Sequence, residues 1–275
     1  MNAFVRRQKP PIDARPPLGF LARVRHRIAT HLPVAPFDAS ADAPAVSFTF
    51  DDVPVSAATE GARLVEEAGG RATYYVAGGL LGMQDDHWRV IDPDMMVGLH
   101  ARGHEIGCHS HSHRRADEIN AAQFAADLDR NHALLRAVEP SLPLENFAYP
   151  YGYVNLAWKR QLKGRFHTSR GIRPRINQGI TDAHHLHSLP LVNREIDEGQ
   201  IDRAFEQAAR CKGWLIFYSH DVTASPSDYG CSPRLLRHAL KSAESFGVRI
   251  ETVKAALARI TAQVGTAWVF VLPVI

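Results

Sequence analysis

The chain has 275 residues, 45% of them hydrophobic and 22% charged, which is the composition of a folded globular protein and not of a disordered one. Net charge is +3 with the histidines neutral, and no run of lysine and arginine with interleaved aromatics occurs, which argues against a nucleic-acid partner. Cys108, Cys211 and Cys231 are scattered and odd in number, suggesting neither a disulfide framework nor a thiolate zinc site, and no stretch approaches the roughly 18 apolar residues of a membrane span.

Residues 1–16 are basic and proline-rich, without the apolar core of an export signal, so a flexible arm and a cytoplasmic location are the default expectations. From Leu18 the pattern changes. Leu18, Phe20, Leu21, Val24, Ile28 and Leu32 fall near one helical face, and Arg23, Arg25, His26 and Arg27 crowd the other. A basic amphipathic helix over 18–32 can lie on the inner, anionic face of a membrane as a peripheral contact. The commoner outcome is burial of the apolar face against the protein, with the basic face solvated, and that is the expectation here. Residues 33–44 read as a linker, so 1–44 form an N-terminal arm, helix and linker ahead of the main unit over 45–262.

Residues 46–50 alternate as a first strand and deliver Asp51 and Asp52 to its C-terminal end. A helix over 57–68 stops at Gly69 and Gly70, and a strand follows over 72–76. Asp92 and Pro93 open a helix to residue 101, after which a short strand over 104–107 runs into the histidine-rich stretch 109–113. Next come a long amphipathic helix over 120–138, a strand from 146 ending in the turn Pro150, Tyr151, Gly152, a helix over 154–162 and a short strand over 166–169. Residues 170–195 look irregular. A helix over 201–211 precedes a wholly apolar strand over 214–218, as a buried parallel strand requires, and this ends at Ser219, His220 and Asp221. Helices over 233–246 and 252–260 flank a strand over 248–250. Residues 263–275 form a short apolar tail.

Strand–helix alternation implies a parallel barrel or a doubly wound sheet. Polar residues gather where strands end, and in a parallel barrel those ends share one face. His109 and His113 are four apart, so one helical turn would put both imidazoles on one side, a familiar way to offer two nitrogens to a divalent metal. Asp51 and Asp52 point to different sides of the chain, so one can ligate while the other accepts a proton. Taken alone, such a pair is more often a turn with an N-cap. His111 is expected as a supporting or surface residue, Ser110 as a brace for a neighbour, and Cys108 as packing. His184, His185 and His187 could form a second metal cluster, but their arginine-rich setting reads as a flexible loop. His220 could be a core histidine, although the end of an apolar strand favours a functional role.

Thr49-Phe50-Asp51-Asp52, the His109/His113 pair, Pro150-Tyr151-Gly152 and the strand ending Ser219-His220 occur in an order that resembles the successive motifs of the polysaccharide deacetylase (NodB-like) family of carbohydrate esterases. The resemblance spans about residues 46–253. It implies a distorted (β/α) barrel of about seven parallel strands, a divalent metal, usually zinc, and hydrolysis of N-acetyl groups on an acylated amino-sugar or glycan. Position by position, Asp52, His109 and His113 resemble the metal triad, Asp51 the catalytic base, His220 the general acid, and the Tyr151 N–H the oxyanion donor. Pro150 and Tyr218 are expected at the substrate. The chemistry is coherent, since three protein ligands leave positions open for a water acidified towards a pKa of about 7.

Three departures stand out. Ala148 occupies the place of the family's arginine, which normally holds the base; Arg170, Arg173 and Arg194 are candidates to replace it. No Asp-x-x-x-Trp segment occurs over 153–210, where Asn193, Glu195 or Asp197 could supply the acid. Tyr218 stands where leucine is usual. Rival readings are an amidohydrolase or deformylase acting on non-sugar or lipid-linked substrates, and a carbohydrate-binding relic.

Overall fold

A computed structural model describes residues 19–84 and 86–263, the last by its backbone. The expected arm over 1–16, Leu18 and the apolar tail from 264 onward lie outside the described residues.

The elements in chain order are α1 (Phe20–His31), β1 (Pro36–Asp38), β2 (Ala45–Asp51), α2 (Ala62–Glu67), β3 (Thr73–Val76), α3 (Pro93–Ala101), β4 (Glu105–Cys108), α4 (Ala121–Val138), β5 (Asn146–Ala148), α5 (Leu156–Lys163), β6 (Thr168–Arg170), β7 (Ile180–Asp182), β8 (Leu189–Pro190), α6 (Glu198–Cys211), β9 (Trp214–Ser219), α7 (Pro233–Ser245), β10 (Arg249–Ile250) and α8 (Val253–Gln263). Local chemistry sets most helix starts. Asn120 and Gln123 form a reciprocal capping box on α4, and Asp197 with Gln200 does the same on α6. Asp92 caps α3 ahead of Pro93, and Ser232 caps α7 ahead of Pro233.

Seven parallel strands lie in the order β6-β5-β4-β3-β2-β9-β8, with β10 pairing alongside the start of β2. All seven residues of β2 are buried, as a central strand covered on both faces demands. The sheet curls. Residues leading into β8 pair with β6, with the Gly171 N–H donating to Leu186 O and the Leu186 N–H to Ser169 O, which draws the two ends together as a distorted (β/α) barrel. The C-terminal ends of β2, β4, β5, β6 and β9 therefore converge on one face. At the opposite end, α8 packs Ala256, Leu257 and Ile260 against Ala45, Trp214 and Ile216.

Two stretches depart from their sequence reading. Residues 33–44 are not a bare linker: β1 pairs antiparallel with β7, and Phe37 and Ala39 are buried. The strand forms because residues 180–182, inside the supposedly irregular region, supply its partner. The second departure concerns α1. It packs on α5, but through Ala22, His26 and Ala29, and its large apolar residues face outward.

Candidate active site

Asp51 is the last residue of β2, and Asp52 follows in a left-handed conformation (φ 55°), as does Val53 (φ 47°). The turn swings the two carboxylates apart. Asp52 then meets His109 and His113, and one ligand atom from each of these three buried residues lies within 4.8 Å of the others. Among the described residues this is the only group of three or more such side chains placed to share an ion.

The His109–His113 stretch is not a helical turn. Ser110 (φ 61°) and His113 (φ 49°) are left-handed, which no α-helix accommodates, so the loop doubles back and brings the two rings to 4.8 Å between centroids. Ser110 Oγ accepts from the His113 N–H at 3.2 Å, the bracing role expected of it. Asp127 on α4 holds the same loop, accepting from the N–H groups of His111 and Ser112. His109 donates from Nδ1 to Ala148 O at 2.8 Å, which leaves Nε2 as the lone-pair nitrogen for an ion. Burial of the His109 ring lowers its pKa, which also favours the neutral ligand form. His111 stays outside the triad, and Cys108 is buried in the core, its thiol pushed up to about 12 by burial. Asp52 Oδ1 is buried and accepts no hydrogen bond, an arrangement that costs free energy unless a cation completes it. The donor set of one carboxylate and two imidazoles suits a divalent metal, and zinc among them.

Five of the seven described non-glycine residues with positive φ sit in these loops: Asp52, Val53, Ser110, His113 and Tyr151. Backbone strain of this kind persists only where the surroundings enforce it, and it clusters at functional positions.

Asp51 lies outside the triad. Burial would raise its pKa, but Arg170, with His109 and His220, outweighs burial and holds it below the ordinary carboxylate range. Arg170 Nη2 donates to both Asp51 oxygens. Its guanidinium is fully buried between the rings of Tyr75 and Tyr218, at 5.3 and 5.4 Å. Of the three candidate arginines, Arg170 is the one that meets Asp51. Arg194 pairs with Asp228 instead.

Among the described residues no carboxylate hydrogen-bonds His220. Asn193 accepts from the Ser232 N–H, Asp197 caps α6, and Glu195 lines the cavity without bonding the ring. His220 Nδ1 faces Tyr229 O at 3.2 Å, and Trp88 stacks on the ring at 5.5 Å. Asp221 shapes the loop that presents Tyr229 by accepting from the Ser227 N–H and hydroxyl.

Tyr151 occupies a left-handed position (φ 58°), and its ring packs on His113 at 4.6 Å. Gly152 follows at φ 63°, where a Cβ would meet Ile172 at 2.2 Å, so only glycine fits this turn. Pro150 is buried and does not line the cavity, whereas Tyr218 does. The cavity of about 310 Å³ gathers Asp51, Asp52, His109, His113, Tyr151 and His220. A wider hollow between α2 and α7 contains none of them. His184, His185 and His187 lie in an ordered, largely buried segment rather than a flexible loop, and they form no second metal group among the described residues.

The fold and site describe a distorted (β/α) barrel with a candidate carboxylate–imidazole metal site and a separate carboxylate beside it. Residues 38–164 match the sequence pattern of the family described as polysaccharide deacetylase. Similar solved structures include a chitin deacetylase from the fungal pathogen Colletotrichum lindemuthianum (18% identity, 82% of this chain and 91% of that one, TM-score 0.58). A family 4 carbohydrate esterase from Streptomyces lividans (15% identity, 75% and 91%, TM-score 0.54) and a peptidoglycan deacetylase from Bacillus subtilis (18% identity, 81% and 93%, TM-score 0.54) also superpose. Identities this low speak to the fold alone. A search of curated protein sequences finds no match. Over residues 38–164 the chain is therefore similar in sequence to the polysaccharide deacetylases, and over most of its length it shares the fold of solved deacetylases.

Proposed function

We propose that the protein is a metal-dependent hydrolase that removes N-acetyl groups from an amino-sugar substrate, with zinc as its ion. The observation that carries this reading is the convergence of Asp52, His109 and His113 on one point, with Asp51 beside them in the same cavity but bonded to Arg170. A divalent cation there supplies Lewis acidity towards an amide carbonyl and an acidified water.

The chain's own groups supply the rest. Asp51, held ionised by Arg170, accepts the proton of the attacking water at a carboxylate oxygen. His220, with Nδ1 directed at Tyr229 O, presents Nε2 to protonate the departing amine. The Tyr151 N–H serves the oxyanion. Ile172, Val192, Tyr218 and Tyr229 wall the cavity and limit the acyl group. Arg170 also weighs against a relic, because a chain that had lost its chemistry has no reason to bury a cation against Asp51.

The test compares acetate and formate release from N-acetylated and N-formylated sugars and from non-sugar amides, with zinc-replete protein. Acetate from the sugars alone is expected. Formate, or turnover of non-sugar amides only, would transfer the reading to a deformylase or general amidohydrolase. Metal content measured beside an Asp52→Ala, His109→Ala double variant should fall from about one equivalent to none; unchanged content would remove the site.

A further inference from the structure

We propose that the outer face of α1 is a docking surface for an anionic phospholipid bilayer. The helix is amphipathic, yet it is mounted with its apolar side outward. Ala29 is fully buried against the barrel, and the Tyr153 hydroxyl donates to Ala22 O at 2.6 Å. Tyr153 stacks on His26 at 4.8 Å, and His26 Nδ1 meets the Val154 backbone. Lys159 Nζ donates to Ala29 O and Leu32 O at 2.7 and 2.8 Å. Rolling α1 to bury its large residues would break every one of these contacts, so its orientation is built in.

The solvent side carries Phe20 (71% exposed), Leu21 (68%), Ile28 (54%), Leu32 (45%) and Val24 (38%). These are five of the nine large hydrophobic residues exposed among the described positions, gathered within thirteen residues of chain. At about 100° per residue they share one sector; Arg23 and Arg27 border it on one side and Arg25 on the other. All three arginines are exposed, and no acidic residue occurs over 19–32. An apolar strip between basic flanks matches the layering of acyl chains beneath anionic headgroups. A second copy of the chain would set like charges against like. The helix is too short to span a bilayer, so it lies in the plane.

The placement bears on the site. His26 and Thr30, on the side of α1 next to the barrel, line a small cavity that shares Gly152 and Ile172 with the catalytic one, so docking would set that wall beside the lipid. The inference does not depend on which bond is hydrolysed.

The experiment is co-sedimentation of the full chain with phosphatidylcholine vesicles with and without phosphatidylglycerol. Binding should require phosphatidylglycerol and weaken with salt. Leu21→Glu with Ile28→Glu should lower it by at least about tenfold at unchanged melting temperature and unchanged turnover of a soluble substrate. Arg23→Gln, Arg25→Gln and Arg27→Gln together should abolish the lipid-charge preference. No binding by the unaltered chain overturns the proposal. So does equal binding by the glutamate variant, which would assign lipid contact to other segments, residues 1–18 and 264–275 among them. A dimer in vesicle-free solution that the glutamate variant dissociates would instead make a second copy the occupant.

Discussion

Ala148 and Arg170 are register partners on adjacent parallel strands, β5 and β6. The guanidinium that the resemblance places at position 148 is supplied here from one strand further along, at the same height. Neighbouring strands are about 4.8 Å apart and paired residues share a face, so an arginine at 170 reaches the carboxylate that one at 148 would.

The first prediction follows from that exchange. Arg170→Ala leaves Asp51 buried without its cation, and kcat should fall at least about 100-fold with metal content unchanged, since Asp51 is not a ligand. Ala148→Arg combined with Arg170→Ala should recover at least about tenfold of the loss. Lysine at 170 should not rescue, because it lacks the flat fork that fits between Tyr75 and Tyr218. Full kcat in Arg170→Ala would remove Asp51 as the base.

The second concerns the metal loop. Asp127 fixes the backbone of His111 and Ser112, and Ser110 fixes His113 in its strained conformation. Asp127→Ala should therefore weaken metal affinity about 10–100-fold, read by competition with a chromophoric chelator, although Asp127 is not among the ligands. Ser110→Ala should give a smaller loss in the same direction. Unchanged affinity in both would mean that the loop holds its shape without them.

Much of this architecture was legible because its signals are local. Asn120 announces α4 where it was expected, Asp197 and Gln200 instead start α6 three residues ahead of the expected 201, and the residues of the Asp52, His109 and His113 group occupy short, ordered motifs. Arg170 could be shortlisted but not chosen, since the choice depends on strand register. Trp88 and Tyr229 gave no signal: they reach His220 only through tertiary folding. No stand-in acid is readable in the sequence, because the partner of His220 is a main-chain carbonyl, which any residue could supply. α1 is mounted opposite to the expectation from its periodicity. Periodicity marks an apolar face but not what the opposite face can gain, and here Ala22 and Ala29 allow close approach while Tyr153 and Lys159 satisfy carbonyls.

Acid sensitivity is the third prediction. Burial, the leading cause in each case, lowers His132, His184 and His187 to about 4 and His185 to about 3, from 6.5. The unfolded chain binds protons on these rings first, so their contribution is fully present above about 6.5 and is lost as pH falls towards 4. Each shift corresponds to about 3–5 kcal/mol. Asp51 and Asp182 are also held low, but they act only below their ordinary value of 3.8. Melting temperature should drop steadily between pH 6.5 and 4, and His184→Gln should flatten part of that slope. A flat profile down to pH 4 would contradict the burial of these rings.

Lys159 supplies the last. Its ammonium is buried, donates to two carbonyls at the end of α1, and pairs with Asp182 at 2.6 Å. Asp182 in turn accepts from the N–H groups of Val34, Ala35 and His184, tying the chain after α1 to β7. Burial lowers the lysine's pKa despite its partner, so the pair gives up hydration for position and not for stability as such. Lys159→Met should still cost about 3–5 kcal/mol, because it strands the buried carboxylate and uncaps the helix. Lys159→Met with Asp182→Asn should restore part of the stability, since neither charge is then left alone. The α1 carbonyls would remain uncapped in both, so limited proteolysis should cut within residues 20–36 in the single and double variants, and leave the barrel intact. Protection of that segment in both would show that α1 is held by Tyr153 and Ala29 alone.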